Sequence, residues 1–250
     1  MSPRIVSAEE YRAREIELID LAQKLVGDGS ISSLNMDALV AAAPYSKGTV
    51  YKHFCSKEDL ILAICNECIT GVHGMFERSL EFEGTSRERI VAKVVSYIIW
   101  AKLNSAQLFV VLSAHSPTVV ANASSERNDQ HNKIEKSLMG LFNAEIAKAV
   151  ESGDLQLNEG MTHLQVSFAC WSSVFGAMAL IMSKGESKEL QSMVLERETM
   201  TNAQLILDGF DWKPLSTEFD YTKTIQRACK ELYQDEIREL EKMGSPFNLL

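Results

Sequence analysis

Chain breakers are scarce: 250 residues contain 5 prolines and 13 glycines. That scarcity favours long uninterrupted helices. Basic residues are outnumbered, 25 against 34 acidic, so the net charge is −9. A chain of that charge is not a bulk polycation that coats nucleic acid, and any nucleic-acid binding has to come from a local patch. Cysteine is present as an odd set of five (Cys55, Cys65, Cys68, Cys170, Cys229), scattered through apolar segments. This excludes a disulfide scaffold and reads as reduced cytosolic thiols. Met1-Ser2-Pro3-Arg4 leads straight into charged residues, with no secretory leader pattern, and a cytoplasmic location is expected. Catalytic signatures are missing: there is no GxSxG, Walker or dinucleotide glycine motif. His53, His73, His115, His131 and His163 show no HExxH or comparable metal spacing. No enzyme activity, cofactor or metal is expected.

With 46% hydrophobic and 24% charged residues the composition is that of a globular protein, which excludes global disorder and a collagen-like fibre. No alternating strand pattern and no internal repeat stand out, so the expected fold is all-α. Ser7-Ala8-Glu9-Glu10 is a capping box that opens a helix carrying Ile16, Ile19, Ala22, Gln23 and Val26, stopped by Gly27-Asp28-Gly29. Asn35 caps a short helix to Ala43, and Ser46 caps another ending near His53. Ser56-Lys57-Glu58-Asp59 opens a fourth. Thr85-Ser86-Arg87-Glu88 is a further capping box, before an apolar face of Ile90, Val91, Val94, Val95, Ile98 and Ile99. Later helices are expected over 128–151, 159–183, 187–209 and about 225–243, with Lys184-Gly185 closing the second of these. The spacing of Cys65 and Cys68 suits a redox pair. Both extend apolar rows of the fourth helix, so core packing is the first reading, with thiol sensing or metal binding as alternatives.

The informative window runs from Asn35 to Leu62. Two short helices with a break of three to four residues trace the outline of a helix-turn-helix. Taking Val50 as the core direction of the second helix, Phe54 falls beside it. Gly48 and Lys52 fall on the opposite face, flanked by Thr49 and Tyr51. Residues 46–57 carry Lys47, Lys52 and Lys57 and no carboxylate, a local excess of cations in an anionic chain. Taken alone, such a cluster also fits a solvated helix with chance basic residues.

Ser46-Lys47-Gly48-Thr49-Val50-Tyr51-Lys52-His53-Phe54 followed by Ser56-Lys57-Glu58-Asp59-Leu60 closely resembles the DNA-binding domain of the TetR family of bacterial transcriptional regulators. The resemblance covers about Ala8 to Ile69. It implies an N-terminal three-helix DNA-binding domain and a C-terminal helical domain for ligand binding and dimerisation. It implies a homodimer on a palindromic double-stranded operator, usually a repressor, released by a small-molecule effector. By position, Asn35, Tyr51, His53 and Lys57 look like phosphate contacts, and Lys47, Gly48, Thr49 and Lys52 like the base-facing set. Pro44 stands where the family usually has glycine in the turn, so the turn needs a geometry without positive φ.

The expected division is 1–70 for the DNA-binding domain, 71–210 for ligand binding and dimerisation, and 211–250 as an extension of unassigned role. Tyr97, Trp100, Gln107, His115, Phe168, Trp171, Phe175 and Met178 are the candidates for an apolar effector pocket, each of which also fits plain core or dimer contact. Met161–Ser183 contains no Asp, Glu, Lys or Arg and is long enough to span a bilayer. Its serines, His163 and Gln165 favour a buried helix of a soluble oligomer, and no membrane partner is expected. The uncharged helix and the one after it, 159–209, are the expected dimer interface, and Ser172, Ser173, Gly176, Ala177 and Ala179 suit close approach of a second helix. The alternative function class is an all-helical small-molecule carrier or enzyme without DNA binding.

Overall fold

Local capping signals set the helix starts in the computed structural model, which describes residues 7–26, 34–183 and 187–249. Ser7 and Glu10 exchange backbone-to-side-chain bonds of 3.1 and 3.2 Å at the head of α1 (Ala8–Val26). Asn35 accepts from Ala38 N to start α2 (Met36–Ala42), and Ser46 accepts from Thr49 N to start α3 (Lys47–His53). Ser56 and Asp59 do the same for α4 (Lys57–Ser79), the shorter acid reaching back to Cys55 N at 3.3 Å. Thr85 and Glu88 form a full capping box on α5 (Ser86–Leu103). α6 (Ser105–Ala114), α7 (Pro117–Asn122), α8 (Ser125–Ser152) and α9 (His163–Ser183) follow. No strand occurs among the described residues, and the fold is all-α. The expected stops at Gly27-Asp28-Gly29 and Lys184-Gly185 lie outside the described residues.

Two expected single helices are each broken. Residues 187–209 form α10 (Lys188–Gln191) and α11 (Leu195–Gly209), and the C-terminal stretch forms α12 (Thr222–Glu231) and α13 (Gln234–Lys242). The second break swings Tyr233 inward. It is fully buried, and its hydroxyl donates to Met75 O at 3.0 Å.

The chain falls into two compact units, 1–69 with 106–134 and 70–105 with 135–250. These units cut the chain differently from the sequence division at 70 and 210. Residues 106–134 group with the N-terminal helices, and the 211–249 segment belongs to the second unit. In the first unit Leu18, Ala22, Leu39, Val50, Phe54 and Leu60 form a fully enclosed core. Ile16, at helical spacing with Ile19 and Ala22, is exposed, while Leu18 is fully buried.

In the second unit α5 is the axis, buried on all sides and packed by α9, α11, α12 and α13. Its polar residues therefore need internal partners. Ser86 donates to Asp154 (2.7 Å) and accepts from Trp212 Nε1 (2.9 Å). The fully buried Arg87 donates to Trp212 O (2.5 Å) and Gln204 Oε1 (2.6 Å), pairs with Asp208 (2.7 Å), and lies 5.0 Å over the Tyr221 ring. Glu88 accepts from Thr224 Oγ1 at 2.9 Å. Partners contributed after residue 211 thus solvate much of the α5 head, which gives the extension a structural role, although Arg87 Nε has no hydrogen-bond partner. Trp212→Ala should lower stability by about 3–5 kcal/mol, the usual range for emptying a buried aromatic site. Urea unfolding of the full chain measures this, and a loss of only a few tenths would contradict the anchor role.

Candidate nucleic-acid interface

The turn before α3 is built without positive φ. Ala43 is extended at φ −75°, ψ 143°, the conformation that a residue preceding proline prefers, and Ser46 is extended at φ −64°, ψ 152°. Pro44 therefore replaces glycine's freedom with an extended path between α2 and α3.

Val50 and Phe54 are fully buried, which fixes the roll of α3. Lys47, Gly48, Tyr51 and Lys52 are then exposed, and Thr49 is half-exposed with its hydroxyl 3.0 Å from Ser46 Oγ. The Lys47 ammonium lies 5.5 Å over the Tyr51 ring and 3.7 Å from the exposed Asp37 carboxylate. An exposed pair of that length holds its partners weakly and yields to a phosphate competitor. A Cβ built on Gly48 meets nothing nearer than Ser46 Oγ at 4.0 Å, so the glycine answers no internal crowding and leaves the outer surface low. Lys57 sits half-exposed at the head of α4, and Asn35 is exposed with its side-chain oxygen engaged in capping. This face can present cations, a phenol and a hydroxyl to base edges and phosphates.

One expected contact is corrected. His53 is buried, not presented to a phosphate, because it lies one turn after Val50 on the inward side. Its ring packs on Tyr11 with centroids 4.0 Å apart, and its Nδ1 is 3.7 Å from the Glu15 carboxylate. Arg127, in the first turn of α8, donates to the same carboxylate at 2.8 Å and lies 5.8 Å over the Phe54 ring. Tyr11 OH donates to Lys52 O at 2.9 Å. The tail of α3 is thus clamped by Tyr11, Glu15 and Arg127, beside a cleft of about 710 Å³ lined by Arg12, Lys52, Asp59 and Lys133 among others. Sequence reasoning missed this clamp. A buried Glu15 on a polar-looking α1 surface is the signal that an internal cation must answer it.

The effector candidates separate. Gln107 and His115 belong to the first unit. Gln107 borders a void of about 10 Å³, and His115 is exposed with its ring 6.1 Å from that of His131. The other six belong to the second unit. Tyr97 and Trp171 line a cavity of about 20 Å³, and Trp100, Phe175 and Met178 are buried. Phe168 is 57% exposed, so it is corrected from a pocket residue to a surface one. Val166, Ser167 and Cys170 take the inward positions of that turn of α9. Lys93, which the sequence reading does not single out, is fully buried and lines the same cavity.

Burial pushes the His53 imidazole below its ordinary 6.5, against the pull of Glu15. The folded state therefore prefers the neutral ring. That preference stabilises the fold fully above pH 6.5 and is lost as pH falls through the lowered folded value. His53→Gln should shrink the drop in unfolding free energy between pH of about 7.5 and about 5.5, read from urea titrations. An undiminished drop would show that this ring titrates alike in both states.

The family model described as "Bacterial regulatory proteins, tetR family" matches residues 18–64. The chain is 18% identical over 148 residues to a fatty acid metabolism regulator protein of Bacillus subtilis (strain 168), covering 59% of this chain and 74% of that protein. A structure of the regulator FadR from Bacillus subtilis with stearoyl-CoA superposes with a TM-score of 0.56 at 15% identity, over 78% of this chain and 98% of that one. The TetR family regulator PfmR of Thermus thermophilus gives a TM-score of 0.55 at 18% identity, over 76% and 97%. These structural likenesses establish a shared fold. The matched residues 18–64, with the α2–turn–α3 geometry, make the N-terminal region of this chain a tetR-type regulatory domain, and the rest of the chain shares the all-helical fold of TetR family regulators.

Proposed function

We propose that the chain is a homodimeric repressor that binds a palindromic DNA operator and is released by a small, largely apolar ligand in the cytoplasm. The outer face of α3 carries this reading: a cluster of Lys47, Gly48, Thr49, Tyr51 and Lys52 projects from a chain of net charge −9. Lys47, Gly48, Thr49 and Lys52 read base edges, while Asn35, Tyr51 and Lys57 hold phosphates. The free N–H groups at the heads of α3 and α4 add positive potential for the backbone.

Self-association is supported by α9. Its outward stripe of Ala169, Ser172, Ser173, Gly176 and Ala179 is small and half-exposed, and it is flanked by Phe168 and by Leu180, 61% exposed. Ala177, grouped with them by sequence, faces inward. An uncharged helix of 21 residues with such a face is long and apolar enough to cross a membrane by composition alone. A second copy covers it equally well, as in obligate interfaces that resemble a core cut in two. Two recognition helices then meet successive major grooves about 34–36 Å apart. Ligand release requires different affinities of the effector for that state and a wider one. The stearoyl-CoA bound by FadR supports an effector with a long apolar body.

Operators selected from random duplex DNA supply the substrate for three tests. Lys52→Ala should weaken operator binding about tenfold or more, consistent with losing about 1–3 kcal/mol of readout, with the dimer intact in sedimentation. Unchanged affinity would reject the assigned face. Lys57→Ala should weaken all sequences alike and lower the salt slope by about one, whereas loss confined to one base position would reject a phosphate role. Phe168→Glu should yield monomers with greatly reduced operator affinity. A dimer of wild-type strength would remove α9 from the interface.

A further inference from the structure

The buried polar groups of α5 differ in how well they are answered. Ser86 and Glu88 meet matched partners, and Arg87 meets an acid through Nη2 although its Nε has no hydrogen-bond partner. Lys93, two turns further on and just as buried, has no acid partner. Its ammonium has three donors. Its partners are Leu141 O at 3.3 Å and two aromatic faces, Phe142 at 4.7 Å and Phe76 at 5.7 Å from the ring centroids. No carboxylate lies within ion-pair distance of it among the described residues. The neighbouring acid, Glu145, is already held by Arg89 Nε at 2.5 Å and Lys148 at 2.8 Å. Burial alone would raise the Glu145 carboxyl, yet those two cations hold it below its usual range. The neighbourhood therefore contains three cations and one carboxylate; Lys148 reaches solvent and Arg89 is partly exposed, so Lys93 is the one of the three cations that is fully enclosed.

The remaining walls add no acid. α9 contributes Cys170, Trp171 and Val174, and α11 contributes Ala203 and Leu207. Burial keeps the Cys170 thiol protonated, pushed up to about 12. Burial also lowers Lys93 to about 8, with Arg89 and Lys148 acting in the same direction and Glu145 against them, so it is still an ammonium at neutral pH. An isolated buried cation is costly unless something pairs with it. The cavity it faces measures about 20 Å³, room for one water-sized group, and its walls are otherwise aromatic and aliphatic.

We infer that Lys93 is the headgroup anchor of the effector site, and that the effector is a carboxylic acid with an apolar body. The inference rests on the ligand-responsive reading above and names the chemistry of its ligand. The carboxylate pairs with the ammonium at the void. The apolar body displaces the rings that close it, lying against Tyr97, Phe142 and Trp171. A single ammonium without a guanidinium fork suits a monoanion better than a phosphate. An alcohol or ester of the same body leaves the buried cation unanswered and binds less tightly.

The test uses the full-length protein at neutral pH and low salt. Tryptophan fluorescence is titrated with decanoate and benzoate and with the matched neutral ligands 1-decanol and benzyl alcohol. The wild type should bind at least one acid saturably and at least about tenfold more tightly than its alcohol, the scale set by one unsatisfied buried polar group. Lys93→Met should abolish that preference while leaving alcohol binding equal or stronger. Replacing a buried charge by an apolar side chain of similar shape is commonly neutral or stabilising. Should K93M not fold, Lys93→Gln keeps a donor toward Leu141 O and carries the same expectation. Three results would overturn the inference: no saturable binding of either acid, equal binding of acid and alcohol by the wild type, or an acid preference that survives in the variants. Operator selection on the ligand-free protein distinguishes the two readings. A recovered operator with no acid binding rejects this inference alone, whereas Lys93-dependent acid binding with no operator rejects the regulator reading alone.

Discussion

Enclosing α5 on every side is the constraint around which the second unit is arranged. A helix so placed excludes water from its polar side chains, and each must be re-solvated by protein. Arg87 shows how far the chain goes to meet that demand: one guanidinium gathers the Trp212 carbonyl, the Gln204 amide, Asp208 and the Tyr221 ring. The four partners span α11, the connection after it and the approach to α12. Nη1 depends on the Trp212 carbonyl, so losing that bond leaves a buried donor unanswered, which generally costs more than the bond itself is worth. The segment after residue 211 is thereby tied to the fold through hydrogen bonds as well as through the apolar burial of Trp212 and Tyr233.

The N-terminal unit meets a related demand with one acid and three bases, Arg12, Arg127 and His53. Glu15 is buried on α1 and receives Arg127, while His53 remains close enough to respond to its charge. Because Arg127 lies at the head of α8 and His53 at the end of α3, one carboxylate coordinates elements far apart in sequence. Such a cluster sets the pose of the α3 tail by electrostatics, and the apolar pair Val50 and Phe54 sets its roll by burial. The two devices act on different degrees of freedom of the same short helix.

What was legible in the sequence is what is decided locally. Ser7, Asn35, Ser46 and Thr85 cap the helices they precede, since capping involves residues only three positions apart. The exposed face of α3 followed from one buried valine and helical periodicity. The misreadings share a cause: they depend on partners distant in sequence. His53 reads as a surface cation until Tyr11 and Glu15 are placed beside it. Lys93 draws no notice in the sequence, since only Phe76 and Phe142, distant along the chain, mark it as enclosed. Phe168 reads as pocket lining because an uncharged helix gives periodicity no contrast between inside and outside. The break between α12 and α13 carries no proline or glycine, and only the inward turn of Tyr233 accounts for it.

The clearance around Gly48 bears on how such a protein changes over generations. Its missing side chain relieves no clash, since the nearest atom to an added carbon is 4.0 Å away. Lys47 and Lys52, likewise, direct their ammonium groups outward while the stability of the helix rests on Val50 and Phe54. Residues 47, 48 and 52 are therefore free to drift without endangering the scaffold beneath them. On the proposed reading of this face, sequence preference for DNA is separable from folding, and a duplicated copy can acquire a new target by surface exchange alone.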